Sequence, residues 1–236
     1  MRIEPLCTDP ILSSKEVRQA LAYAFPYEEV LSTVYLGTAK PMTSIQATIF
    51  PYYEKTYNYT TDLDKAKQLL AQAGYANGFD VTISIDSAKA DLERICILYK
   101  TSLAKIGVNL NIEKLPTGDL YNKRVNNDLQ LYVNQDMAGF PDPQFAIGIF
   151  ATNDCGMDYN EYHSDFVEQR FAEDKFSLDE DLRSSVWSDL QKTFDDDVGW
   201  IMVCEPGYYL PVTKALSGGV WTSLNGFDFR HATLNR

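Results

Sequence analysis

The residues best able to do chemistry gather in one stretch, Asp128 to Phe145, which reads DLQLYVNQDMAGFPDPQF. It holds two carboxylates, Asp136 and Asp142, two bulky apolar side chains, Met137 and Phe140, and a glycine at 139. Carboxylates accept charge-assisted hydrogen bonds from ammonium groups, apolar side chains cover hydrocarbon, and glycine lets a ligand approach the backbone. The mixture suits a ligand-facing loop, and it equally fits a well-packed proline-rich turn. Asp136 and Asp142 can also be read as a glycosidase pair, although nothing around them supplies the supporting context. Other catalytic signatures are missing. The two histidines, His163 and His231, lie far apart and read as surface or structural residues. No nucleophile elbow, HExxH, P-loop or GxGxxG occurs. The run Asp195, Asp196, Asp197 follows a helical pattern and reads as a solvated face, because a calcium loop needs alternating ligands and a closing glutamate. Cys7, Cys96, Cys155 and Cys204 lack metal-ligand spacing and read as small buried or free thiols, with a disulfide left open. No metal or cofactor is expected.

The elements that must position this loop are legible from periodicity. Leu129, Leu131 and Val133 alternate with Gln130, Tyr132 and Asn134, which predicts a strand. Gly139, Pro141 and Pro143 stop it, since proline cannot donate to a ladder. Upstream, Val81, Ile83 and Ile85 predict a strand, Leu92 to Ile106 a long helix closed by Gly107, and Val108, Leu110 and Ile112 a second strand. A short helix through Tyr121, Arg124 and Val125 leads into the strand of the opening stretch. This β-α-β-α-β order predicts right-handed crossovers, parallel strands, and a ligand just outside their carboxyl ends. That geometry favours the binding reading of the loop. Met1 to Pro10 reads as extended, limited by its prolines to an edge or a crossing segment. Ser13 or Ser14 caps a helix that Pro26 ends, and Tyr27 to Leu36 forms another, stopped by Gly37. Thr61 and Asp64 read as a capping box for a helix closed by Gly74. Thr38 to Thr60 is long, aperiodic and rich in tyrosine; it either wraps the core or shapes a cleft. Beyond the loop come a helix with Phe166 and Phe171, one capped by Asp179, a short apolar strand near Trp200, and a turn-rich end with one short strand.

Composition removes several classes. The chain has 236 residues and a formal charge of −12, without the basic face that nucleic acid requires. No apolar run approaches the roughly 20 residues that span a bilayer. Met1 is followed at once by RIEPLCTDP, which is not a signal peptide.

Five segments then carry a resemblance: SSKEVRQALAYAFPYEEVL, DLDKAKQLLAQAGYANGFDVTISI, LAKIGVNLNIEKLPTGDLYNKRVNNDLQLYVNQDMAGFPDPQF, GWIMVCEPGYYLPV and FDFRHATL. In this order the chain resembles the extracellular solute-binding proteins of oligopeptide and dipeptide ABC importers, family 5. The resemblance implies an α/β lobe of the type II periplasmic-binding-protein kind, a largely parallel sheet flanked by helices. Family members are longer, so the chain would be the second lobe, Met1 an artificial start, and the first lobe of the same polypeptide missing. Residues 1–10 would be one hinge crossing, 11–202 the ligand-binding lobe, and 203–236 the second crossing and a return toward the missing lobe. A short peptide or related small solute would sit between the lobes and pass to ABC permease subunits, without catalysis. The setting would be the outer face of the membrane, as a lipoprotein, or the periplasm. Tyr121, Gln135 and Met137 match cleft-lining positions, and Arg124 a basic residue that meets ligand carboxylates. Phe140 would add apolar contact. Gly139 stands where members often carry an aspartate that pairs with a peptide's α-ammonium, so Asp136 or Asp142 would have to substitute. Two other classes stay open: a glycoside or peptide hydrolase using the carboxylate pair, and a protein-interaction module working through the Thr38 to Thr60 loop.

Overall fold

A computed structural model describes residues 1–136, 139–140, 142–152, 157–207, 209–222 and 226–235. In chain order the elements are β1 (Arg2–Pro5), α1 (Lys15–Tyr23), α2 (Tyr27–Glu29), β2 (Lys40–Pro41), α3 (Leu63–Gln72), β3 (Asp80–Asp86), α4 (Ala90–Ala104), β4 (Asn109–Leu115), α5 (Thr117–Val125), β5 (Leu131–Asn134), α6 (Ile147–Phe150), α7 (Asp165–Asp174) and α8 (Glu180–Asp196). Six short strands follow: β6 (Ile201–Met202), β7 (Cys204–Glu205), β8 (Leu216–Ser217), β9 (Val220–Thr222), β10 (Gly226–Asp228) and β11 (Thr233–Leu234).

The central sheet has the order β4-β3-β5-β1-β6. β3 is parallel to both β4 and β5, while β1 is antiparallel to both β5 and β6. Four strands therefore run one way and β1 alone runs against them, the expected α/β architecture with a mostly parallel sheet. The chain steps from β3 to β4 on one side and then back past β3 to β5. Right-handed crossovers of that order put α4 and α5 on opposite faces.

Local chemistry explains most boundaries. Ser14 caps α1 by accepting from the Val17 N–H, and Asp179 caps α8 by accepting from Asp181 and Leu182. The cap of α3 is Asp62, one residue from the expected box: its carboxylate accepts from Lys65, while Thr61 donates its hydroxyl to the Phe25 carbonyl. Gly78 at the start of β3 has φ +76°, and a Cβ there would lie 1.8 Å from the Gly107 carbonyl oxygen. Two turns thus meet backbone to backbone at one end of the β3–β4 pair, which only glycine permits.

Two expectations need correction. β1 is an interior strand, not an edge; Pro5 is tolerated because β6 pairs only with Arg2 and Ile3 and stops short of it. The C-terminal end holds four short strands in two small ladders, β8 with β11 and β9 with β10, in place of one. The core is the apolar face of the sheet (Ile3, Ile83, Leu131, Val133) with Leu21, Tyr99 and Leu103 from α1 and α4 and Phe25 from the turn after α1, continued by Trp187, Leu190 and Phe194 of α8.

Candidate functional site

The site starts from the pleat. Register pairs Arg2 with Asn134 and Glu4 with Tyr132, so these four side chains share one face of β1 and β5. Ile3, Leu131 and Val133 fill the other. Two residues beyond Asn134, at the carboxyl end of β5, the chain reaches Asp136, whose carboxylate lies 2.5 Å from Arg2 Nη2 and 2.9 Å from Asn134 Nδ2. Arg2 also donates through Nε to Glu4 at 2.8 Å, and Arg124 of α5 reaches the other Glu4 oxygen at 3.0 Å. The result is an alternating chain, Arg124–Glu4–Arg2–Asp136, buried at one end and open at the other. Arg2 lies flat over Trp200, 3.6 Å from its ring, with Phe150 at 4.9 Å; planar guanidinium suits such stacking.

Asp136 opens onto a cavity of about 450 Å³. It is lined by Phe140, Phe145 and Phe150, by Trp200 and Arg2, and by Met42, Ile45, Ala47, Ile49 and Phe50 of the 42–50 segment. The aromatic wall is a row of ring contacts: Phe140 to Phe145 at 5.2 Å and Phe145 to Phe150 at 6.3 Å are edge-on, and Phe150 to Trp200 at 5.8 Å is tilted. Phe140 is 49% exposed and Ile49 78% exposed, so the rim is uncovered by the chain's own helices. This volume and its mostly apolar lining are those of a small-molecule pocket.

Helix α8 holds the loops that carry this lining. Asp195, fully buried, accepts from the Ile45 N–H at 3.2 Å and from the Thr56 hydroxyl. Gln191 accepts from Ser44 and from the Glu54 N–H, both at 3.0 Å, and donates to the Tyr52 carbonyl. Burial pushes the Asp195 carboxyl up to about 7 against these donors, which pull it down. In the other loop, Asp142 caps the turn that follows it by accepting from the Gln144 N–H, and Arg183 of α8 stands 3.8 Å from its carboxylate. The reading of Asp195 as solvated is therefore wrong; Asp196 is the exposed member, paired with Lys15, and Asp197 accepts from Tyr162.

Of the residues singled out from sequence, the structure brings Asp136 and Phe140 into the cavity wall, with Gly139 beside Phe140. Asp142 faces Arg183 and its own turn, so the two loop aspartates have different partners. Gln135 is exposed outside the cavity lining. Tyr121 is exposed on α5, and Met137 lies outside the described residues. Arg124 is turned inward: Glu4 takes its charge, and Tyr132 and Tyr159 flank it with ring centroids at 4.9 and 4.7 Å. Sequence reasoning missed Arg2, Trp200 and the anchor Asp195. The 42–50 wall lay inside the long loop already flagged as core-wrapping or cleft-shaping, and it does both: Ile45 and Phe50 are buried while Ile49 is exposed. Among the described residues, no three His, Cys, Asp or Glu side chains are placed to hold a metal, and no helix is long and apolar enough to cross a membrane.

Comparison with known proteins gives a consistent result. The sequence model for bacterial extracellular solute-binding proteins, family 5, middle region, matches residues 2–158. The Heme-binding protein A of Haemophilus influenzae is 24% identical over 220 residues, covering 90% of this chain and 40% of that protein. The Dipeptide-binding protein of Escherichia coli is 25% identical over 232 residues, 94% of this chain and 43% of that one. The crystal structure of the ABC transporter substrate binding protein CtaP from Listeria monocytogenes superposes with a TM-score of 0.91 at 22% identity, covering 100% of this chain and 50% of that one. The chain spans about half the length, or less, of the relatives it matches.

Proposed function

Because the chain belongs to the bacterial extracellular solute-binding proteins of family 5, we propose that it forms one lobe of a two-lobed receptor for a short peptide or related small solute. In this reading a first lobe of the same polypeptide closes over the cavity, and the closed receptor hands its solute to the permease of an ABC importer. Residues 1–10 and about 203–211 serve as the two crossings between lobes. The receptor works at the outer face of the membrane or in the periplasm and catalyses nothing.

The observation that carries this reading is the open apolar cavity just beyond the carboxyl end of β5, where α/β sheets place ligands. Its rim is uncovered at Phe140 and Ile49. The names of the relatives, which include a dipeptide-binding protein, support the solute class. Asp136, Gly139 and Phe140 from the sequence reading remain in the proposed site, joined by Ile49, Phe50 and Trp200. Arg124 takes a different part, as the buried end of the charge chain that orients Asp136.

Half an enclosure gives weak binding. We expect this chain alone to bind dipeptides and tripeptides with a Kd of roughly millimolar, about −4 kcal/mol, and the two-lobed polypeptide to bind orders of magnitude more tightly. Calorimetry on both would test it, with mass spectrometry of whatever co-purifies with the longer form. Submicromolar binding by this chain alone would refute the two-lobe arrangement.

A further inference from the structure

The segment from Thr38 to Phe50 faces two ways. Met42, Ile45, Ala47, Ile49 and Phe50 line the cavity. The same segment is joined at three places to residues 203–207, where the second crossing begins. Lys40 and Pro41 of β2 pair with Glu205 and Cys204 of β7. Glu205 accepts from the Thr48 N–H at 3.1 Å with one carboxylate oxygen and from the Thr48 hydroxyl at 3.0 Å with the other. A Cβ on Gly207 would lie 2.9 Å from the Thr38 carbonyl oxygen, so this approach of two backbones needs glycine. On its other flank the crossing is bonded to the first one: the Met1 carbonyl accepts from the Val203 and Cys204 N–H groups at 3.1 and 3.3 Å.

We infer that the 38–50 segment is a strap that carries occupancy of the cavity to the crossing between lobes, with Glu205 as the positioning residue at the joint. The inference rests on the solute-receptor reading and adds the route by which binding is felt at the crossing. Thr48 sits between Ala47 and Ile49, two residues of the lining. A solute settling against them displaces Thr48 in the same movement, and a carboxylate gripped on both oxygens follows its donors. Ser44 and Ile45 are fixed to Gln191 and Asp195 of α8, so the 47–49 tip moves against the crossing and not against the helix. Coupling between two places needs an element that both of them bias, and the Thr48–Glu205 pair supplies the contact. Past Glu205, among the described residues, the chain has no ladder partner before β8. Backbone of that kind absorbs a hinge rotation. The solute then shifts the crossing by as much as its affinity differs between the two angles.

The test is a titration of the chain with leucyl-leucine to about 20 mM, enough to fill a site of roughly millimolar Kd. Two sets of NMR signals are read: the Ile45 and Ile49 methyls, which line the cavity, and the Gly207 and Tyr209 amides, which lie outside the lining. Both sets are expected to shift along one binding curve. In Glu205→Ala the methyls should still respond while the amide shifts fall severalfold; Glu205 is only partly buried, so its truncation leaves the fold standing. Glu205→Gln should restore them, because its amide accepts from the Thr48 N–H and donates to the Thr48 hydroxyl oxygen. Moving methyls with silent amides in the unaltered chain overturn the strap, as do amides that respond in full in Glu205→Ala. A Gln variant that behaves like the Ala variant assigns the effect to the charge and also overturns it. Methyls silenced by Glu205→Ala make Glu205 a solute contact, with the same consequence. If the methyls of the unaltered chain do not move, the receptor reading itself falls.

Discussion

Residues 80–134 and the two loops that meet at the cavity are held by different forces. In the first region, β3, β4 and β5 pair in register and bury Val81, Ile83, Ile85, Leu110, Leu131 and Val133. Helices between the strands follow from periodicity, and the boundaries follow from glycine turns and caps. In the second region little is periodic. The 42–56 loop sets only Ile45 and Phe50 into the core and is otherwise tied by polar bonds to Asp195 and Gln191, and the Asp142 turn by its own cap and Arg183. Apolar burial makes a region cooperative with the whole fold, whereas a few directed hydrogen bonds make it a separable part.

The sharpest way to break the comparison is Ile83→Ala. Ile83 is fully buried at the centre of β3, between two parallel neighbours. Truncation should cost about 3 kcal/mol, within the range for buried Ile or Leu to Ala. Urea unfolding should show one transition shifted as a unit, with amide protection falling across β3, β4 and β5 together. A loss confined to the cavity loops would mean the two regions are not mechanically distinct.

Asp195 comes next. Asp195→Ala leaves the buried Ile45 N–H without its acceptor, a loss of about 1–3 kcal/mol. Unlike Ile83→Ala, it should appear first as faster amide exchange at Ile45 and nearby cavity residues. Its carboxyl also gives a pH signature. Burial raises it from 3.8 to about 7, so the folded chain keeps a proton that the unfolded chain releases above about pH 4. The contribution of this group is therefore fully present below pH 4 and is lost as pH rises toward 7. Asp158, also pushed up to about 7 by burial, acts in the same sense. Asp195→Asn should flatten the decline between pH 4 and 7 by its own share; an unchanged slope would show that Asp195 is already ionised across that range.

The same division explains what sequence could show. The β-α-β-α-β order, the glycine stops and the caps at Ser14 and Asp179 are written in neighbouring residues, and they were legible. Gly139 and Phe140 were legible as a loop, and Asp136 as its carboxylate. The partner of Asp136 was not, because Arg2 lies far away in the chain and meets it only through the β1–β5 register. For the same reason Arg124 looked available to a ligand although Glu4 occupies it. Asp195 looked solvated because it belongs to a run of three aspartates, and only the return of the 38–60 loop over α8 buries it. Of the two readings of the first ten residues, an edge or a crossing segment, the edge failed because a proline's cost depends on which flank is paired, and that is a tertiary fact.

Phe140→Ala should have the smallest effect on stability and a large one on binding. The ring is half exposed, so little buried area is lost, and its edge-on contact with Phe145 is worth about 0.5–1.5 kcal/mol; the change in unfolding free energy should sit near the low end of that range. Ile83→Ala and Phe140→Ala then form a pair: one lowers the unfolding midpoint while folded protein still binds, the other leaves the midpoint almost in place while affinity for an apolar probe drops. Were Phe140→Ala as destabilising as Ile83→Ala, the ring would be part of the core, and the cavity rim would be a seam of the fold with no ligand face left to offer.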